Sequence, residues 1–258
     1  YYFTFCYCRC VYGDTFYGKN VYFCVMQKID EIIDLGTIAY ADAWKFQQKL
    51  FDKTIAQKKI KESTTQTLIL CEHPHVITLG KHGNSNNLLL PTENLRKRGV
   101  EFFYTDRGGD ITYHGPGQLV VYPIFDLDAF EIGLKSYIFK LEEVVIRLLN
   151  DYGIKAERMP GATGVWLETD SDKNARKICA IGVRSSHFVT MHGLALNVNT
   201  DLSYFSLINP CGFIEKGVTS IQKELNSNAP KMDEIKNRII LYFSEIFDID
   251  KIDKKNGK

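Results

Sequence analysis

The clearest periodicity in the chain lies at 134–153, LKSYIFKLEEVVIRLLNDYG. There Leu134, Ile138, Leu141, Val145 and Leu148 recur at helical spacing, and Gly153 supplies a stop. Two further stretches repeat the pattern. At 39–60, Ala43, Trp44, Gln47, Leu50, Phe51 and Ile55 share a face opposite a lysine-rich one; at 232–247, after Pro230, the apolar positions are Ile235, Ile239, Tyr242, Phe243 and Ile246. Between these helices, short apolar runs bounded by turn residues predict strands: TLILCEH ending at His73-Pro74, VITLG stopping at Gly80, VEFFYT after Gly99, a run at 118–125, MPGATGVWLE, KICAIGVRSS and FVTMHGLALNV. The polar stretch TDSDKNARK reads as a hairpin loop or an insertion. With no internal repeat and no linker, the pattern predicts one α+β domain with a mixed, largely antiparallel sheet flanked by helices. Its expected extent is 29–250, after a poorly structured leader or targeting remnant at 1–28 and before a frayed tail at 251–258.

Composition narrows the function classes. A chain of 258 residues can bury a sizeable core, and a formal net charge of +1 argues against bulk nucleic-acid binding. No apolar run is long enough to span a bilayer, so no membrane role is expected. Four of the seven cysteines (Cys6, Cys8, Cys10 and Cys24) sit in an aromatic-rich N-terminal segment, but C-x-C-x-C without a histidine is not a zinc pattern, and no metal is expected. Cys71, Cys179 and Cys211 lie in the body; the odd count points to reduced thiols and an interior compartment. Because Asp14 is the one acidic residue among the first 26, a targeting remnant and an organelle interior (plastid-type or mitochondrial) are the expectation, with the cytoplasm as the alternative.

Chemistry concentrates between Lys177 and Gly212. Cysteine is a strong nucleophile only as thiolate, and a free pKa near ~8.5 leaves it mostly protonated at neutral pH. A neighbouring lysine stabilises the thiolate as ammonium, or acts as a base when desolvated. A lone cysteine is more often a small buried apolar residue; the Asn209-Pro210-Cys211-Gly212 turn argues that this one is presented rather than packed away. Upstream, Gly108-Gly109 and Gly115-Pro116-Gly117 flank a short run at 111–114. A glycine pair lets backbone N–H groups approach a bound carbonyl or anion, although two plain hairpin turns, with His114 a structural hydrogen-bonder, fit the same spacing.

Taken together, RGGDITYHGPGQLVVYP, KICAIGVR, HGLALNVNTDL and INPCG, with EHPHVITLG before them, resemble the LipB-type octanoyltransferases (lipoyl(octanoyl) transferases) of lipoate biosynthesis over about 35–225. The resemblance implies a fold shared with lipoate and biotin protein ligases. It also implies octanoyl transfer from octanoyl-acyl carrier protein to a lysine of lipoyl domains, in 2-oxoacid dehydrogenase complexes or the glycine cleavage H protein, with no cofactor. By motif, Cys211 takes the place of the acyl-accepting nucleophile and Lys177 that of the lysine lowering its pKa. The acyl-binding positions fall on Arg107, Gly108, Gly109, Asp110, Ile111, Thr112, Tyr113 and His114, on Ala180, Ile181 and Gly182, and on Gly193, Leu194 and Ala195. The rival readings are an ATP-dependent lipoate ligase, which leaves INPCG unexplained, and a non-catalytic carrier-protein binding module, against which Cys211 and Lys177 both argue.

Overall fold

The computed structural model describes residues 10–12, 22–24, 27–171, 174–209, 217–226 and 230–250. The tail 251–258, most of the leader 1–28 and the segment holding Cys211 lie outside the described residues. In chain order, β1 (Cys10–Tyr12) and β2 (Tyr22–Cys24) pair antiparallel; β3 (Gln27–Lys28) and β4 (Glu31–Thr37) lead into α1 (Tyr40–Lys59). Then come β5 (Thr67–Glu72), β6 (Val76–Leu79), α2 (Thr92–Lys97), β7 (Glu101–Tyr104), β8 (Ile111–His114) and β9 (Gln118–Ile124). After α3 (Leu134–Asn150) follow β10 (Glu157–Met159), β11 (Ala162–Leu167), β12 (Arg176–Ser186) and β13 (Val189–Asn197). The chain closes with β14 (Gly217–Val218), α4 (Ile221–Glu224), α5 (Met232–Ile246) and β15 (Ile249–Asp250), the last pairing parallel with β3.

The main sheet runs β10-β11-β12-β13-β9-β5-β4, with β14 parallel to the start of β12. All other neighbours in it are antiparallel except β4 and β5, so the sheet is mixed and largely antiparallel, as expected. Strand alternation sorts its side chains into two layers. Leu119, Val121, Leu194 and Leu196 face α3 and α5, whose Leu141, Val145, Leu148, Ile235, Ile239 and Phe243 complete the larger core. On the other face Val120, Tyr122, Met191 and Ala195 meet Ala43 and Phe51 of α1.

A second, small sheet, β7-β6-β8, packs beside this α1 layer. Its core of Ile77, Leu79, Ile111 and Tyr113 is closed by Leu207 and Ile208, at the end of a 3₁₀ turn at Leu202–Leu207. The helical stretches read from periodicity coincide with α1, α3 and α5 to within three residues at each end. MPGATGVWLE, read as one strand, is a hairpin of β10 and β11 turning at Pro160-Gly161, where Gly161 has φ +77°.

Candidate active site

On the α1 face, β12 and β13 present small residues to each other in register: Ala180 opposite Ala195, then Gly182 opposite Gly193. Paired small side chains leave a trough, and it is the floor of a cavity of about 380 Å³. Ligand pockets typically hold ~300–1,000 Å³, so this is the size of a small-molecule site. The cavity is bounded by Lys177, Gly217 and Val218 at one end, and by Arg107 and Gly182 at the other. Five residues of strand separate the two ends, roughly 16 Å.

The far end is shut by the loop at 105–110. Gly108 N–H donates to Val183 O at 2.8 Å, laying the loop across β12. A Cβ on Gly182 would stand 2.8 Å from Gly108 O and 3.3 Å from an Arg107 guanidinium nitrogen, so only glycine permits this approach. The Arg107 guanidinium, 7% exposed, is turned into the loop itself. It donates to Thr78 O (2.7 Å), Thr78 Oγ1 (3.0 and 3.1 Å), Asp110 O (2.7 Å) and Gly108 O (3.0 Å). Asp110 extends the lattice, accepting from Asn84 N–H at 3.1 Å and Asn87 Nδ2 at 2.5 Å. Asn87 O in turn accepts from Asn209 N–H at 2.7 Å. Asn209, two residues before Cys211, is thereby tied to the Arg-Gly-Gly loop. Cys211 itself lies outside the described residues.

The side wall is polar and buried. His114 Nδ1–H donates to Gln118 Oε1 (2.7 Å), Gln118 Nε2 to Asn197 Oδ1 (2.8 Å), and Asn197 Nδ2 to Thr219 O (3.0 Å). Thr219 N–H then donates to Lys177 O (3.0 Å), so the row ends on the backbone of the lysine. Burial, reinforced by nearby His73, pushes the His114 pKa down to about 3, leaving a neutral ring. His73 donates Nδ1–H to Ile38 O (2.8 Å) and accepts the Tyr122 hydroxyl at 2.7 Å; burial lowers its pKa too. His192, at φ +61°, gives Nε2–H to Asp106 at 2.9 Å. Burial lowers the His192 pKa, and the hydrogen bond from His192 leads the causes that lower that of Asp106, so a neutral ring faces an ionised carboxylate.

Of the residues singled out from sequence, Lys177, Arg107, Gly109, Asp110, Ile111, Thr112, His114, Ala180, Ile181, Gly182, Gly193, Leu194 and Ala195 all line this one cavity. Gly108 instead backs the loop. Tyr113 faces the opposite way: fully buried, it bonds His75 Nδ1 at 2.7 Å and stacks on Tyr204 at 5.2 Å. Strand alternation between Thr112, Tyr113 and His114 explains this. Sequence reading missed Tyr40, Gln118, Tyr122, Trp166, His192 and Asn197, which also line the cavity. For Gln118 and Tyr122 the signal was available, since they share strand parity with Val120; Tyr40 and Trp166 reach the site through tertiary packing, which periodicity does not report.

The chain matches the family model described as the lipoyl protein ligase A/B catalytic domain over residues 39–244. Curated relatives named octanoyltransferase include that of Bacteroides thetaiotaomicron, 58% identical over 208 residues (81% of this chain, 91% of the relative). Another, from Parabacteroides distasonis, is 56% identical over 215 residues (83% and 96%). Among solved structures, a bi-partite lipoate protein ligase from Thermoplasma acidophilum has a TM-score of 0.66 at 16% identity, covering 90% of this chain and 88% of that one. A lipoate-protein ligase A bound with ATP gives 0.65 at 17% identity, with 90% of each chain covered. At such identities the structural likeness establishes the fold.

Proposed function

The chain belongs to the lipoyl protein ligase A/B catalytic domain family, as an acyltransferase of the LipB type, and from its site we propose that it moves an octanoyl group from acyl carrier protein to a lipoyl-domain lysine through a thioester on Cys211. The observation that carries this reading is the trough. It offers an apolar floor of paired small residues to an acyl chain, with Lys177 at one end. Gly217, six residues after Cys211, lines that same end.

In the first step the Cys211 thiolate attacks the donor thioester carbonyl and expels the carrier thiolate, exchanging one thioester for another at nearly equal free energy. In the second, the neutral amine of the acceptor lysine attacks the acyl-cysteine. An amide forms, the cysteine thiolate leaves, and the step runs downhill without nucleotide activation. Lys177 stabilises the thiolate as ammonium and passes protons in both steps, help typically worth ~10²–10⁴-fold. Closed walls favour the amine over water as acceptor.

Intact-mass analysis after incubation with octanoyl-acyl carrier protein tests the proposal. One octanoyl group is expected, labile to hydroxylamine, mapped to Cys211 and discharged on adding apo-lipoyl domain or H protein. A Cys211→Ala protein that transfers octanoate at the parent rate would overturn it. Turnover of free octanoate only with ATP would assign the ligase chemistry instead.

A further inference from the structure

Lys177 lies in β12 beside a bulge, where Ile178 is the extra residue against β11. β11 pairs Val165 with Cys179 but Trp166 with Lys177, so the register shifts between Val165 and Trp166. Such a bulge adds local twist and re-aims the side chains beside it. Here it brings an indole face to a lysine: Lys177 Nζ stands 4.5 Å from the centroid of the Trp166 ring, within cation–π range.

Both partners are fixed. Trp166 is 2% exposed and gives its Nε1–H to Ala162 O at 2.9 Å, which sets the ring plane. Lys177 pairs with Trp166 on one side and with Val218 of β14 on the other. Gly164, at φ +121°, lies against its stem and lets β11 approach the β12 backbone closely. A Cβ there would lie 3.5 and 3.6 Å from Lys177 Cε and Cδ, and 2.6 Å from Cys179 O. Bulge, glycine and indole together shape one seat for the ammonium, and both Trp166 and Lys177 line the cavity.

We propose that Trp166 is a positioning residue that seats the Lys177 ammonium at the cavity wall and keeps it charged to higher pH than an apolar neighbour would. This rests on the reading of Lys177 as the cation that supports the thiolate. Its consequence is that Trp166 sets the alkaline limit of acyl transfer. Removing the ring destabilises the ammonium alone, so the proton leaves at lower pH and the thiolate loses its cation sooner. A desolvated cation–π contact corresponds to a shift of about one pH unit, a roughly tenfold change in the ammonium population at a given pH.

Two measurements test this. In the rate profile of octanoyl transfer, Trp166→Leu should move the alkaline limb down by about one pH unit, while Trp166→Phe, which keeps an aromatic face, should stay near the parent. A limb that stays in place in Trp166→Leu while kcat falls would make Trp166 merely structural. The second measurement needs no reaction. The chain has two tryptophans, Trp44 and Trp166, so in Trp44→Phe the indole emission reports Trp166 alone. That emission should titrate at alkaline pH and lose the step in Trp44→Phe/Lys177→Met. An identical titration with Met at 177 would overturn the pairing. If emission titrates as expected but no variant or parent transfers octanoate, the functional reading fails and the pairing stands.

Discussion

Lys177 is half-buried in the cavity wall, beside an indole and above a glycine. If its ammonium supports the Cys211 thiolate, Lys177→Ala should slow transfer and move iodoacetamide alkylation of Cys211 to higher pH. An alkylation profile unchanged by the substitution would exclude that role. Lys177→Arg should rescue incompletely, because a guanidinium keeps the charge but cannot release a proton near neutral pH. How legible residues were in the sequence depended on motif. Ala180 and Gly182 share a parity that places them on one face of their strand, whereas Lys177, an odd step away, reaches the same cavity through the bulge at Ile178, and Trp166 in GVWLE carries no mark of the lysine opposite it. The bulge that turns them together is a tertiary feature. Tyr113 shows the reverse error, since a motif named a contiguous run and the pleat placed its middle residue on the other side.

At the scale of elements, the site depends on small residues being in register across β12 and β13, and on the loop that closes over them. Gly182→Val would drive a side chain into Gly108 O and force the Arg-Gly-Gly loop off the sheet. Overpacking of this kind costs about 1–3 kcal/mol. Transfer should therefore fall steeply while far-UV circular dichroism stays native and the urea midpoint drops modestly; full activity in this variant would mean that the loop does not close the trough. The strap is a separate test. Asp110→Ala removes the acceptor of Asn84 N–H and the Asn87 amide, a loss of about 0.5–1.5 kcal/mol, and should raise hydrogen exchange at 84–90 and at Asn209. Unaltered exchange at Asn209 would show that the tie does not reach the segment before Cys211. The three long helices were readable because a 3.6-residue period persists over four turns or more. β4 was not: EIIDLGT mixes Glu31, Asp34 and Gly36 into a sheet-edge strand, and only its parallel pairing with β5 makes it one.

At the scale of the whole molecule, three buried rings, His73, His114 and His192, sit between α1, the main sheet and the small sheet, and burial lowers the pKa of each. Aromatic packing links them: His114 stacks on Tyr40 at 6.2 Å and meets His73 edge-on at 6.1 Å. His114 gives the sharpest consequence. Its pKa is about 3 in the fold, against ~6.5 for an unfolded histidine. Between those values the unfolded chain binds a proton that the folded chain refuses, so stability rises with pH there and is lost as pH falls from about 6.5 towards 3. At pH 4.5 the share due to His114 should be about 2–3 kcal/mol. Asp106, whose pKa is lowered in the fold, adds a loss of the same sign at lower pH. Urea unfolding at pH 7 and pH 4.5 should therefore show a large fall for the parent protein. His114→Gln starts lower at pH 7, because the pairing with Gln118 is altered, but should fall by about 2 kcal/mol less on acidification. An equal fall in the two proteins would mean that His114 takes up its proton without unfolding, and that the wall beside the trough admits charge.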